Sequence, residues 1–263
     1  MSEPERKPRA RRFRLPISRA RAIELAVVIF GVLVAVGLDN LAEEIRLHGD
    51  ARDLEKALQA DIESAVRLSW ERQLLAPCMR QRLALLAERA STPGAAATPT
   101  LDHTVGNLEY AVSPSYRAPL RVWTSYTFDR ALGSEAFKRI PRDRADEYVQ
   151  TFAQIASQRE ANDAEFYATA NLAPLAVPQP DMDPEVRADL LKSIALLDRY
   201  NAVLVLVGGQ IIETALALPG GEDIRTALRD RAQFAAMEDG HRQTYGSCID
   251  LGATARLLDA VKG

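Results

Sequence analysis

Between Leu25 and Leu38 the chain contains nothing more polar than glycine, inside an apolar run AIELAVVIFGVLVAVGL that ends at Leu38. A helix built from this run has no polar face, so it does not read as the amphipathic helix of a soluble domain. Residues 22–38 are slightly fewer than the roughly 20 needed to cross hydrocarbon, but Arg19 and Arg21 can snorkel to the headgroups. Glu24 then falls near one interface, where a charge costs least.

The flanks give this span a direction. Arg6, Lys7, Arg9, Arg11, Arg12, Arg14, Arg19 and Arg21 precede it against only Glu3 and Glu5, although the whole chain carries a net charge of -3. A basic block can bind nucleic acid or anionic lipid, or fix membrane orientation, and the sequence beside it decides which. Here the neighbour is an apolar helix, so the expected partner is the lipid bilayer rather than nucleic acid. The positive-inside rule places residues 1–21 in the cytoplasm, 22–38 in a bacterial inner membrane and 39–263 in the periplasm. A cleaved signal peptide is the competing account. Against it, neither small-residue pair, Ala35 with Gly37 or Gly49 with Ala51, sits where cleavage would fall, and a helix-compatible segment follows Leu38.

The remainder reads as an all-α domain, a helical bundle into which the transmembrane helix continues. Leu54, Leu58, Ile62, Ala65 and Leu68 recur at spacings of three and four, and Leu83, Leu85, Leu86 and Ala87 resume the stripe. This predicts one long helix or two collinear ones over Leu41 to about Ala90, with Gly49 and Pro77 as weak points. Residues 91–119, rich in Pro, Thr, Ser, Ala and Gly, are expected to form a loop with at most a helical turn near Leu108 to Val112. Helix is expected again from Leu120 to Leu132, and after Pro141 from Arg142 to about Leu172, with Tyr148, Phe152, Ile155, Ala156 and Phe166 inside.

A Pro-rich linker is expected at 174–184, with Asp183 as N-cap and Pro184 opening a helix to about Leu218. The last helices are expected over Glu222–Met237 and Ser247–Lys262. The segment Asn201 to Leu218 is apolar enough to raise a second span. Gln210 and Glu213 stand on one face of it, and a charge near the centre of a span costs at least about 2.5 kcal/mol, which favours a buried core helix with both residues at solvent.

Motifs of chemistry are absent. His48, His103 and His241 have no metal-ligand spacing, and each reads as a surface or satisfied histidine. Glu160, Asp163 and Glu165 read as a polar helix face, and Glu238 with His241 is a lone Glu-x-x-His pair. No nucleophile elbow, phosphate loop or dinucleotide fingerprint occurs, so no catalytic residue, metal or cofactor is assigned. Gly208-Gly209 is expected to permit close packing. Cys78 and Cys248 are either a disulfide, which an oxidising periplasm favours, or two buried thiols. Tyr110, Tyr116, Trp123, Tyr126 and Phe128 either line a ligand groove or fill the core. Gly31 and Ala35, four apart, form a small-residue face on which two membrane helices could pack, so self-association is open.

The segment GVLVAVGLDNLAEE, Gly31 to Glu44, preceded by Glu24, resembles the anchors of a loosely defined group of uncharacterised bacterial proteins. Their span ends in an Asn-Trp or Asp-Asn-Trp signature; Asp39 and Asn40 match, while Leu41 stands where the aromatic is usual. The stretch from Trp123 to Ile155 is similar to a second region of that group. The resemblance implies membrane anchoring and a helical extracytoplasmic domain, and carries no activity. The functional expectation is a membrane-tethered periplasmic module that binds a protein partner or itself and has no catalytic activity; the alternatives are a ligand-binding or sensory domain acting through a partner, and an envelope enzyme with an unrecognised site.

Overall fold

The computed structural model describes residues 19–92, 103–105, 108–110, 116–176, 181–218 and 222–261. The basic residues Arg6 to Arg14, most of the loop expected from Ser91, Pro178 and Pro180 of the expected linker, Pro219 to Gly221 and Lys262 lie outside the described residues. The described chain is almost wholly helical. It divides into two compact units, Met1–Gly49 and Asp50–Gly263, and helix α1, Arg19–Ser91, contributes to both.

In the first unit every large apolar side chain from Ile23 to Leu38 is exposed, Phe30 at 69%. Gly31 has nothing near the position a Cβ would take. Exposed pairs follow the apolar run, Arg46 with Glu43 and His48 with Glu44, each within one helical turn. Among the described residues this is the one helix long and apolar enough to cross a membrane.

The second unit is organised around the rest of α1. Leu58, Ile62, Val66, Trp70 and Leu74 recur every fourth residue and are fully buried. Trp70 meets the Phe234 ring edge-on at 4.8 Å, and its Nε1 donates to Thr254 Oγ1 at 3.0 Å. Gly49 and Pro77 both stand within the continuous helix. Pro77 has no N–H for the turn before it; close by, the Leu74 carbonyl accepts from the Asp250 N–H at 2.8 Å, which ties the C-terminal segment to this part of α1.

Between 91 and 119 the structure places two three-residue strands, β1 (His103–Val105) and β2 (Leu108–Tyr110), paired antiparallel with Val105 opposite Leu108. This replaces the helical turn expected near Leu108. Two residues separate the strands, and the segment carries Thr, Val and Tyr, which favour extended backbone. The helix expected from Leu120 is shorter too. Residues 117–125 are irregular, and α2 spans only Tyr126–Ala131.

Helix α3, Glu135–Lys138, is capped by the Ser134 side chain. Helix α4, Arg142–Thr169, follows Pro141, and a 3₁₀ segment, Ala170–Ala176, carries the chain through Pro174, so the expected linker begins later than Pro174. Helix α5, Pro184–Ala217, begins as its sequence requires, with the Asp183 side chain accepting from the Glu185 N–H at 2.7 Å and Pro184 in the first turn. It packs along α4. Leu204, Ile211, Ile212 and Ala215 are buried while Gln210 and Glu213 are exposed, so Asn201 to Leu218 is a core helix.

The helix expected over 222–237 is two. Helix α6, Glu222–Leu228, stops before Asp230, whose side chain accepts from the Ala232 and Gln233 N–H groups and starts α7, Arg231–Tyr245. The aspartate cap satisfies donors that a continuous helix would have paired internally. A 3₁₀ turn, Gly246–Cys248, and α8, Gly252–Ala260, complete the unit.

Candidate functional site

Three helices interrupt their apolar stripes with polar residues at the same depth. On α4 the buried series Tyr148, Phe152, Ile155 continues as Gln158, Asn162, Glu165 at the same spacing. On α1 it passes through Ser69 and Arg72, and on α5 through Asn201, all within the interior. Arg72 and Glu165 meet there through two hydrogen bonds of 2.8 and 2.5 Å. Tyr116 Oη donates to Glu165 Oε1 at 2.9 Å, and Asn201 Oδ1 accepts from Arg72 at 3.0 Å while its amide donates to the Ala76 carbonyl. Burial, with the Glu165 charge adding to it, raises the Tyr116 phenol far above its ordinary value, so it stays a neutral donor.

A second carboxylate lies on α1 beside Arg72. Glu71 accepts from Arg121 through two hydrogen bonds of 2.5 and 2.7 Å, and His241 Nε2 of α7 lies 3.0 Å from its Oε1. Burial pushes this carboxyl upward, but the hydrogen bonds from His241 and Arg121 outweigh it and hold Glu71 below the usual carboxylate range. The hydrogen bond with Glu71 in turn raises the Arg121 guanidinium against its own burial. Asn162 Nδ2 donates to the Arg121 carbonyl at 3.2 Å, which fixes the irregular segment against α4.

These groups form the wall of a cavity of about 860 Å³ bounded by α1, the segment after Tyr116, α4 and α7. Its polar wall includes Glu71, Tyr116, Arg117, Arg121, Glu165 and His241; Leu68, Leu120, Phe166 and Met237 give it apolar surface. A second cavity of about 340 Å³ shares Arg117, Thr244 and Tyr245 with the first and extends to Cys78, Cys248, Arg82 and Leu85. Arg117 lies over the Tyr245 ring, 5.6 Å from its centroid. Burial raises the Tyr245 phenol as well, keeping it uncharged.

The sequence candidates are distributed unevenly about this site. Cys78 and Cys248, 170 positions apart along the chain, are joined by a disulfide at the wall of the smaller cavity. Of the five aromatics, Tyr116 lines the larger cavity, whereas Trp123 and Phe128 are core residues, Phe128 stacked on Phe152 at 4.5 Å. Tyr126 is 66% exposed beneath Arg130, and the Tyr110 side chain lies outside the described residues. Neither Trp123, Tyr126 nor Phe128 is on the cavity wall as described.

Two assignments change. Glu165 is not part of a solvated face but fully buried, because it stands one turn after Asn162 on the inner stripe; Phe166, expected inside, lines the cavity and is half-exposed. His241 is satisfied, by Glu71, and Glu238 bonds Thr254. Gly208 brings α5 onto Ser69 of α1, as its place in a helix led one to expect. Among the described residues no group of three or more His, Cys, Asp and Glu could hold a metal ion.

The chemistry open to this wall is recognition more than proton transfer. Glu71 is kept ionised by its donors, and a base so stabilised is a weak one near neutral pH. Compared with known proteins, the chain matches no family model, no curated protein and no solved structure.

Proposed function

We propose that this chain is a single-pass inner-membrane protein whose periplasmic helical domain binds a small ligand. The observation that carries the reading is the cavity of about 860 Å³, inside the range of roughly 300–1,000 Å³ typical of ligand sites, with apolar surface and a few convergent polar groups held by ion pairs. The orientation rests on the eight basic residues before Ala22, and the disulfide suits an oxidising compartment.

The apolar stripe of α1 from Leu58 to Leu86 is largely consumed by the domain's own core, so it offers no broad face to a protein partner. That tips the choice from interaction module to ligand binder.

Native mass spectrometry on the full chain, released from nanodiscs, tests this. A bound small molecule at one per chain is expected in the wild type and absent from Gly240→Phe. Gly240 lines the cavity and has open space where a Cβ would stand, so a ring placed there narrows the site without a clash at its root. Identical masses bound to both proteins would contradict the proposal.

A further inference from the structure

The two cavities adjoin at Arg117, Thr244 and Tyr245. Both carboxylates on the described wall, Glu71 and Glu165, are each taken up by two hydrogen bonds from an arginine, Arg121 and Arg72. Past them, the remaining formally charged wall residues as described are Arg117, common to both cavities, and Arg82 in the smaller one. Each of these arginines is also engaged elsewhere in the chain, and each still brings a guanidinium to the wall. Burial, and after it the neighbouring Arg89, lower the Arg82 guanidinium from its ordinary range.

Apolar surface adjoins this basic junction. Leu68, Leu120, Phe166 and Met237 line the larger cavity, with Leu120 and Phe166 about half-exposed. A ligand matched to both features has one anionic group and one apolar body.

We propose that the site takes an anionic amphiphile, a carboxylate or phosphate monoester carrying a hydrocarbon chain, with its head at Arg117 and Arg82 and its chain along Leu68, Leu120, Phe166 and Met237. This rests on the ligand-binding reading above. Arginine suits the head because its planar fork of donors matches carboxylate and phosphate oxygens, and the hydrocarbon leaves water for the apolar wall.

The test uses the full chain in phosphatidylcholine nanodiscs, titrated by calorimetry with decanoate, decanol and decyltrimethylammonium. Decanoate is expected to bind at one site at least about tenfold more tightly than either analogue, the scale of one charge-assisted contact. Arg117→Gln is expected to remove that preference while keeping the helical circular dichroism spectrum of the wild type, which shows the variant folded; Arg82→Gln should reduce it in the same way. Nanodiscs containing phosphatidylglycerol distinguish the source: competition with decanoate means the head comes from a bilayer lipid, and none means a free acid. Equal binding of all three probes would overturn the anionic assignment and leave the cavity reading intact. Binding of none would overturn both.

Discussion

Arg72 on α1 and Glu165 on α4 join through two hydrogen bonds with side chains only 4% and 2% exposed. Neither charge has water to fall back on, so each depends on the other and on Tyr116 and Asn201. Removing one partner from a buried pair strands the other, at a cost of about 3–5 kcal/mol. Arg72→Met is therefore expected to lower the urea midpoint by that equivalent, and Arg72→Met with Glu165→Met to recover part of the loss. A single variant as stable as the wild type would mean the pair contributes nothing to closure of the cavity wall.

Glu71 makes the fold acid-sensitive in a definite direction. Its folded-state pKa lies below the unfolded one, so its contribution is complete above the unfolded carboxylate value of about 4.3 and is lost as pH falls through the folded value. Urea unfolding across this range is expected to show wild type and Glu71→Gln converging at low pH. Parallel curves for the two proteins would show the Arg121 and His241 contacts to be without weight.

Reduction of the Cys78–Cys248 bond should be costly. With the cysteines 170 positions apart, the chain-entropy model gives about 5 kcal/mol of stabilisation. The Cys78→Ser, Cys248→Ser double variant is expected to unfold at much lower urea, and the wild type to match it after reduction. An unchanged midpoint would show that the cross-link adds no constraint.

Neighbouring glycines on α5 should respond oppositely. A Cβ at Gly208 would stand 3.3 Å from the Cβ of the fully buried Ser69, while one at Gly209 would meet Gln73 Nε2 at an ordinary 3.7 Å. Gly208→Ala is expected to destabilise, overpacking costing about 1–3 kcal/mol against the helix gain, and Gly209→Ala to stabilise by up to about 1 kcal/mol. Thermal melts of the two variants decide this, and equal shifts would contradict the packing described.

Much of this architecture was legible because apolar residues announce themselves by period. The uninterrupted run to Leu38, the stripe of α1 at spacings of three and four and the Asp183-Pro184 start of α5 each follow from local rules. The site was not legible, because its residues sit where the stripe turns polar. Gln158, Asn162 and Glu165 continue the spacing of Ile155, and only a reading that follows position rather than hydrophobicity would have placed Glu165 inside. Arg72, Arg121 and His241 carry no local signal; their pairing is a product of tertiary contact across 50 to 170 positions. The split between α6 and α7 was available in Asp230, a helix-capping residue read as part of a longer helix.

The central claim is that the cavity beside Glu71 and His241 is a binding site, and equilibrium titration of the nanodisc-held full chain with a neutral naphthylamine dye tests it most directly. Saturable binding at one site, abolished by Gly240→Phe with no loss of thermal stability, is the expected result. No saturable binding, or equal binding to the Gly240→Phe protein, would contradict it.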